Sequence, residues 1–391
     1  MKKRSIKFRL PHRQAHTSRP PRFLAIKLAD VGDVLLTLPA LCALKLRYPD
    51  AVIDILTPPS SATLARLSPV IDNVIVFDKF QFDSILSLLR PRSYFRVLRL
   101  LRRLRRGHYT SIILFHHLNT RWGTAKHAFL TIASGARRRF GLHNGRGWFL
   151  TDRVKDRGFG YMHEAEYWQQ LARLAGATSC FERPVLVIPE DDRNWTRDFL
   201  ATAKAGSPLI AVHPGSGAYS LARRWPAERF AAVADSLVEK YGATIVLLGG
   251  KDEQELSNAV CSLMSHKPVV ATGQTNLSRL YALLQSCDLL IGNDSGVMHI
   301  ASAAGTPAIA IFGPSNDKAW RPFDWDRAAA GEAGAAGSKK YVVVRGFTRC
   351  SPCLYVGHLL GNPEGCETRD CLTIVTPEDV VAAAGIMLSK V

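Results

Sequence analysis

Acidic residues stand just after a predicted strand near the start of the chain. The stretch FLAIKLADVGDVLLTLPAL (23–41) predicts a strand, a break that holds Asp30 and Asp33, and then an apolar helix. We expect Gly32 to permit the sharp turn and Asp33 to begin the helix. Asp33 then acts either as an N-cap or, at the carboxyl end of a strand, as a general base.

Two glycine-containing turns have the composition of phosphate sites. In HPGSGAYSLARRWP (213–226), Ser216 and Gly217 follow a predicted strand, and Arg223 comes shortly after them. Backbone N–H groups in such a turn hold phosphate, and an arginine adds bidentate charge. An ordinary surface loop with solvated arginines is the alternative interpretation.

The second such turn lies in LLIGNDSGVMHIASAAGTPAIAIFGPS (289–315). Asp294 ends a predicted strand, Ser295 and Gly296 open a helix, and His299 lies one helical turn further on. N–H groups at a helix N-terminus attract anions, so the segment predicts a second anion site. The alternatives are an N-cap for Asp294 and a core histidine for His299.

A third glycine-rich turn, LLGGKDEQE (247–255), predicts recognition of a ribose. Gly249 would let the backbone approach closely, and the carboxylate of Glu253 would bind two hydroxyl groups. Glu253 could instead be an acidic residue of the first turn that stabilises the helix dipole.

The stretch RPRSYFRVLRLLRRLRRG (90–107) predicts a basic amphipathic helix. Arg96, Arg99 and Arg103 recur at helical spacing, and aliphatic side chains fall on the other side. A helix of this type binds either an anionic membrane or an anionic acceptor, or it is simply the solvated cover of a packed core. Nucleic acid is not expected, because no aromatic platform or known binding motif accompanies the arginines.

Four of the eight cysteines form two pairs near the C-terminal end of the sequence. They are Cys350, Cys353, Cys366 and Cys371. Two pairs at this spacing either bind zinc tetrahedrally or pack a loop without metal.

The elements that must position these residues alternate between short apolar strands and amphipathic helices. This alternation predicts parallel, doubly wound sheets, and 391 residues are too many for one core. We expect a basic disordered arm (1–22), an acceptor-binding domain (23–188), a linker (189–207) and a nucleotide-sugar-binding domain (208–391). An Ala/Gly-rich loop is expected at 328–338.

Charge is distributed unevenly between the two halves of the chain. Residues 1–188 hold 32 basic and 12 acidic residues, a net charge of +20, whereas residues 189–391 hold 19 and 21, a net charge of −2. No acidic residue occurs from Ser84 to Thr151, against 14 basic ones. The first half therefore faces an anionic partner. The basic N-terminus lacks the apolar core of a signal peptide, so we expect a cytoplasmic protein with reduced thiols.

Four motifs together resemble the heptosyltransferases of bacterial lipopolysaccharide synthesis, glycosyltransferase family 9. They are VGDVLLTLPAL, HPGSG followed by ARRWP, LLGGKDEQE and IGNDSGVMHIASAAGTPAIAIFGPS. The resemblance runs from about residue 23 onward. It implies an α/β protein of the GT-B fold, with two Rossmann-like domains facing a central cleft. It also implies inverting transfer of a heptose from ADP-heptose to a lipid A-linked core acceptor, without metal or cofactor, at the inner face of the inner membrane.

The same resemblance implies a role for each matching residue. Asp33 corresponds to the proposed catalytic base, and Arg223 stands where the family commonly has a lysine that contacts the donor phosphates. The remaining donor contacts are Glu253 for the ribose, Asp294 for the sugar, and Ser295, Gly296 and His299 for the diphosphate. The basic arm and the 328–338 loop depart from compact members of the family.

Three other functions are compatible with parts of the sequence. A GT-B enzyme that uses another nucleotide sugar would keep every motif. A nucleotide-sugar epimerase would share the two domains but would need neither a lipid acceptor nor a basic first domain. A membrane-binding module that is not an enzyme would need only the arginine stretch, and not acids and phosphate turns at matching strand ends.

Overall fold

Two parallel six-stranded sheets form the framework of the computed structural model, which describes residues 20–78, 91–178, 181–217, 219–332 and 337–389. The first sheet contains β1 Arg22–Ile26, β2 Val52–Thr57, β3 Asn73–Val76, β4 Ser111–Leu114, β5 Arg138–His143 and β6 Asp152–Lys155. The second contains β7 Leu209–His213, β8 Thr244–Leu247, β9 Val269–Val270, β10 Leu289–Asn293, β11 Ala308–Phe312 and β12 Tyr341–Arg345.

Helices connect most of these strands, and a loop without a helix joins β5 to β6. The first half contains α1 Val31–Leu35, α2 Leu38–Arg47, α3 Pro59–Leu67, α4 Pro91–Arg106, α5 Arg121–Ala133 and α6 Glu164–Leu174. The second half contains α7 Glu190–Thr202, α8 Ala227–Tyr241, α9 Gln254–Leu263, α10 Leu277–Gln285, α11 Gly296–Ala304, α12 Asp317–Trp320, α13 Trp325–Arg327, α14 Asp370–Thr373 and α15 Pro377–Leu388. Within the described ranges, no helix has the length and apolarity needed to cross a bilayer.

Each sheet has the strand order of a doubly wound domain. The orders are β3-β2-β1-β4-β5-β6 and β12-β11-β10-β7-β8-β9, with parallel pairing throughout. Strand order reverses beside β1 in the first sheet and beside β7 in the second, and ligands of such sheets bind at these switch points. The predicted α/β architecture of two Rossmann-like domains is confirmed.

Helices cover both faces of the first sheet because its central strands are buried on both sides. Leu24 and Ile26 of β1 face one cluster of buried side chains, which includes Leu104 of α4 and Leu130 of α5. The opposite face packs against α2 and α6. The helices α4 and α5 therefore lie side by side on one outer face of the first domain.

The two domains also contact each other through loops. The backbone N–H of Phe159 donates to the carbonyl oxygen of Gly357 at 2.7 Å, and the N–H of Gly357 donates back at 3.3 Å. A second cluster of buried apolar side chains runs from α2 and α6 to α10 and α11 without a break. The cleft between the domains is thus bounded by packed structure.

Several sequence expectations need correction. Arg22, predicted to end the basic arm, already belongs to β1, and residues 1–19 lie outside the described residues. The segment 189–207, predicted to be a polar linker with a helix inside it, contains the helix α7, which packs on α10. Of the loop predicted at 328–338, residues 328–332 form a helical turn, and 333–336 lie outside the described residues.

Candidate functional site

The two domains touch where α1 of the first meets the N-terminus of α11 of the second. A β-carbon built on Gly32 would lie 2.7 Å from Cδ2 of His299 and 3.1 Å from Cα of Gly296. The backbone of Gly32 is helical, so the prediction that this glycine permits a sharp turn is wrong. Gly32 instead leaves room for the other domain.

Asp33 lies in the first turn of α1 and does not cap it, because the N-cap position belongs to Asp30. The Asp33 carboxylate forms an ion pair with Nζ of Lys27 at 2.9 Å, and the Asp33 side chain is 25% exposed. Lys27 itself is buried and lies 4.5 Å from the centre of the Trp168 ring. The ion pair therefore orients a carboxylate that still reaches solvent at the cleft.

A cleft of about 270 Å³ opens beside Asp33 and is lined by both domains. The first domain contributes Lys27, Asp33, His116, His117, Asn119, Thr120 and Glu164, and the second contributes Tyr219, Trp320, Tyr355 and Leu360. Cationic and hydrogen-bonding groups thus stand on one wall and aromatic rings on the other. Such a combination suits a polar ligand with sugar rings.

The first-domain wall of this cleft contains a buried charged histidine. His117 donates from Nδ1 to Asp156 at 2.9 Å and from Nε2 to Glu164 at 3.0 Å. Burial lowers the pKa of His117, but the two carboxylates outweigh burial and raise the pKa to about 9. The ring is therefore an imidazolium at neutral pH, held by two carboxylates.

On the second-domain side, Asp294 directly follows β10 and pairs with an arginine. Its Oδ2 lies 3.3 Å from Nη1 of Arg223, whose Nη2 donates to the carbonyl oxygen of Ser216 at 2.7 Å. The N-cap of α11 is Ser295, so the alternative that Asp294 caps this helix is wrong. Arg223 ties the glycine turn after β7 to the acidic end of β10.

His299 lies one turn into α11 and is buried against α1 of the other domain. Burial lowers the pKa of His299, and the carboxylates of Asp294 and Asp33 oppose that shift only in part. The ring is therefore neutral at pH 7. It interacts electrostatically with both Asp294 and Asp33.

Three buried nitrogen atoms near these turns lack hydrogen-bond partners among the described residues. They are Nε of Arg223, Nε of Arg224 and Nδ1 of His299. Buried polar atoms are nearly always paired in native proteins, so an orphaned group demands an explanation. A cluster of nitrogen donors beside a helix N-terminus is the arrangement that a bound anion completes.

The glycine turn after β7 closes around the carboxylate of Glu253. A β-carbon on Gly215 would fall 1.8 Å from Oε1 of Glu253, so only glycine is compatible with this contact. Glu253 accepts hydrogen bonds from the N–H groups of Gly250 at 3.0 Å and Gly217 at 3.5 Å, and from Nε2 of His213 at 3.2 Å. Burial raises the pKa of this carboxyl, but the hydrogen bonds outweigh burial and hold the pKa at about 2.

The other predicted donor residues occupy the same region. A β-carbon on Gly249 would lie 3.0 Å from Cγ2 of Thr272, so this turn is also closely packed. The hydroxyl of Ser216 donates to the carbonyl oxygen of Ser220 at 2.9 Å, and the hydroxyl of Ser295 lies 3.3 Å from Nδ1 of His213. The predicted donor residues are therefore brought together at the carboxyl edge of the second sheet.

The arginines predicted to bind an acceptor or a membrane stand apart from this site. Arg96, Arg99 and Arg103 are exposed on α4, and Arg103 donates to the carbonyl oxygen of Val74 at 3.2 Å. None of the three lines the cleft as the described residues define it. Residues other than these three arginines must therefore contact an acceptor that is bound inside the cleft.

The four paired cysteines line one small pocket together. Cys371 is buried, and the other three are exposed. No group of three or more His, Cys, Asp or Glu side chains in the described ranges is placed to hold a metal ion.

The sequence reasoning missed several residues that build the site. Lys27, His117, His213 and Asn293 were not singled out, although each lies at or just beyond the carboxyl end of a strand. Asn293 accepts from the N–H of Trp225 at 2.9 Å and donates to the carbonyl oxygen of Pro214 at 2.6 Å. It thereby fixes both ends of the glycine turn, and polar residues at strand ends were the available signal.

Comparison with known proteins agrees with this geometry. The model of glycosyltransferase family 9 (heptosyltransferase) matches residues 97–349. The chain is 28% identical over 137 residues to lipopolysaccharide heptosyltransferase 2 of Escherichia coli, and the aligned region covers 34% of this chain and 38% of that relative. It is 25% identical over 309 residues to lipopolysaccharide heptosyltransferase 2 of Salmonella typhimurium, and that aligned region covers 75% of this chain and 83% of the relative.

Among solved structures, the chain is similar to the E. coli ADP-heptose lps heptosyltransferase II. The TM-score is 0.68 at 22% identity, and the match covers 94% of this chain and 99% of that one. At this identity the likeness concerns the fold, and it supports the predicted arrangement of two Rossmann-like domains.

Proposed function

The chain belongs to glycosyltransferase family 9 and is a glycosyltransferase, and on that premise we propose that it transfers a heptose from ADP-heptose to the core saccharide of a lipopolysaccharide. Its similarity to lipopolysaccharide heptosyltransferases supports the sugar and the acceptor, and its similarity to the E. coli ADP-heptose lps heptosyltransferase II supports the donor. One observation carries the proposal: the contact of Gly32 with Gly296 and His299, which brings Asp33 of one domain beside Asp294 of the other.

In this proposal Asp33 is the general base. An acceptor hydroxyl attacks the anomeric carbon of the heptose while the bond from that carbon to the ADP oxygen breaks. Asp33 takes the hydroxyl proton, and ADP leaves with the bonding electrons. Attack from the side opposite ADP inverts the anomeric centre. Lys27 orients the Asp33 carboxylate through their 2.9 Å ion pair, and general base assistance contributes about 10²–10⁴ in rate.

The leaving diphosphate gains negative charge as the bond breaks, so it needs cationic groups and hydrogen-bond donors that are already in place. Arg223, the N–H groups of Ser295 and Gly296, and His299 are the residues we assign to this role. The unpartnered nitrogen atoms of Arg223 and His299 support it, because phosphate oxygens would complete their hydrogen bonding. Asp294 then accepts hydroxyl groups of the heptose, and no divalent metal is required.

Glu253 is assigned to the ribose of the donor. A carboxylate offers about four acceptor positions, and the turn around Glu253 uses only some of them. Because the pKa of Glu253 is about 2, the group stays ionised over the whole physiological range. Ser216, Gly217 and Gly249 keep the backbone close to the nucleotide.

The acceptor enters from the first domain. We assign its saccharide to the cleft wall of the first domain, where Asn119 and Thr120 offer hydrogen-bonding groups beside Asp33, and its aromatic contacts to Trp320 and Tyr355. Arg96, Arg99 and Arg103 are outside the cleft and are assigned to the anionic cytoplasmic face of the inner membrane, where the lipid-linked acceptor resides.

The test is a transfer assay with a panel of nucleotide sugars and a heptose-deficient lipopolysaccharide. We expect ADP release that depends on the acceptor, together with a one-heptose gain in acceptor mass, only with ADP-heptose. Turnover with a different nucleotide sugar would mean that this sugar, and not ADP-heptose, is the donor. Conversion of a nucleotide sugar without any acceptor would favour an epimerase, and the absence of turnover with every donor would reject the proposed function.

A further inference from the structure

The helix α5 presents apolar side chains on its outer face as well as its inner one. Ala128 and Leu130 are buried in the core of the first domain. On the opposite side, Trp122, Phe129 and Ile132 are 43%, 50% and 48% exposed. With exposed Ala125 they recur at spacings of three and four residues, so they form one straight row, named here the α5 stripe.

The α5 stripe is about 15 Å long at the helical rise of 1.5 Å per residue. Two aromatic rings and an isoleucine in such a row are unusual on a water-facing helix, which normally carries polar residues there. Large apolar side chains grouped on one face mark an interaction surface and not random exposure.

The surroundings of the α5 stripe are cationic. Arg102, Arg105 and Arg106 of α4 line a groove with Ala133 at the C-terminal end of α5. Nε of Arg105 donates to the carbonyl oxygen of Ala133 at 2.6 Å, which ties the two helices together. The sequence from Ser84 to Thr151, which contains both helices, has no acidic residue. The partner is therefore both apolar and anionic.

The α5 stripe is also connected to the cleft. The residues that lead into α5, Asn119 and Thr120, line the cleft beside Asp33, as does Gly123 in the first turn. A partner that binds the outer face of α5 would therefore lie next to the entrance of the cleft, through which an acceptor arrives.

We propose that the α5 stripe, flanked by Arg102, Arg105 and Arg106, docks this chain on an anionic lipid bilayer with the cleft entrance at the headgroups. Trp122, Phe129 and Ile132 enter the interface, and the arginines contact lipid phosphates. Docking itself is independent of the catalytic chemistry. Its use for presenting a lipid-linked acceptor rests on the proposed function.

Vesicle sedimentation tests the proposal with two variants of the full chain. Phe129→Ser with Ile132→Ser removes apolar area, and Arg102→Gln with Arg106→Gln removes charge. The matched control is Leu263→Ser with Ile386→Ser, because both side chains are apolar, helical and exposed (53% and 62%) but lie in the second domain. Thermal melting establishes that each variant is folded.

We expect the wild type and the control to bind vesicles of phosphatidylcholine mixed with an equal amount of phosphatidylglycerol. The serine variant should bind at least tenfold more weakly at every salt concentration. The glutamine variant should lose at least tenfold at low salt and little at about 1 M salt, where the Debye length is only about 3 Å. Neutral phosphatidylcholine vesicles should bind the wild type far more weakly.

Equal vesicle binding by the serine variant and the wild type would overturn the proposal, as would absence of wild-type binding. A wild-type dimer in solution that the serine substitutions convert to monomer would assign the α5 stripe to a second copy of the chain instead. Transfer to a soluble, deacylated acceptor separates the two proposals. Both variants should keep transfer to this soluble acceptor. Absence of transfer by the wild type would reject the proposed function, but it would not affect the conclusion from the vesicle experiment.

Discussion

Raising the pH above neutrality should remove a stabilisation that depends on the charge of His117. The pKa of this ring is raised from 6.5 to about 9, and its side chain is only 5% exposed. Because the pKa in the folded state lies above that in the unfolded state, the stabilisation is complete below about pH 6.5. It is lost as the pH rises through the folded-state pKa of about 9.

The two pKa values give the size of the effect. Protonation of His117 contributes about 3 kcal/mol near pH 6.5, and roughly half of this contribution disappears between pH 6.5 and pH 8. We limit the comparison to pH values below about 8, because cysteines in the unfolded chain begin to ionise near their ordinary pKa of about 8.5. His163 and His299, whose pKa values are lowered by burial, act in the opposite direction within the same window.

Urea unfolding of the wild type and of His117→Gln at several pH values isolates the stabilisation that comes from protonation of His117. The difference in unfolding free energy between the two proteins should shrink by about 1–2 kcal/mol from pH 6.5 to 8. A difference that does not change with pH would refute the idea that His117 is an imidazolium in the folded chain.

Further predictions concern the contact between the domains and the donor site. Gly32→Ala should lower the unfolding free energy by about 1–3 kcal/mol, because its β-carbon would overlap His299. Gly296→Ala, whose β-carbon would lie 3.5 Å from the nearest Gly32 atom, should cost less in calorimetry, and an equal cost would argue against the steric account. Arg223→Ala should weaken ADP binding at least tenfold in calorimetric titration while leaving the melting temperature within a few degrees, and unchanged ADP binding would remove Arg223 from the phosphate site. EDTA should leave transfer unchanged, because arginine and helix N–H groups are assigned to the diphosphate, and a loss that Mg²⁺ restores would contradict this.

The sequence predicted those elements whose apolar residues follow a single periodicity. The strands that precede Asp33, Ser216 and Asp294 were identified, as were the basic helix α4 and the helix α11 that begins after Ser295. The helix α5 was missed because it is apolar on both faces, so no periodicity of 3.6 stands out. The strands β5, β6 and β12 were missed because arginine, lysine, histidine and glycine interrupt them or because they lie at or next to a sheet edge.

The candidate site was predictable only one domain at a time. The motifs placed Asp33 and Asp294 at strand ends, but nothing local indicated that Gly32 would press against His299 of the other domain. The roles of Lys27 and His117 also depend on distant partners, Asp33 in one case and Asp156 with Glu164 in the other. Such pairings arise from tertiary packing, and a single sequence does not display them.

The most direct test of the proposed chemistry is Asp33→Asn, assayed for heptose transfer and for ADP-heptose binding on the same preparation. Asparagine has nearly the shape of aspartate but cannot take the acceptor proton. The account predicts that transfer falls by about 10²–10⁴ while the donor dissociation constant stays within severalfold. A melting curve close to that of the wild type establishes that the buried Lys27 tolerates the loss of its ion pair. Turnover within tenfold of the wild type, in a variant that is folded and binds donor, would contradict the assignment of Asp33 as the base.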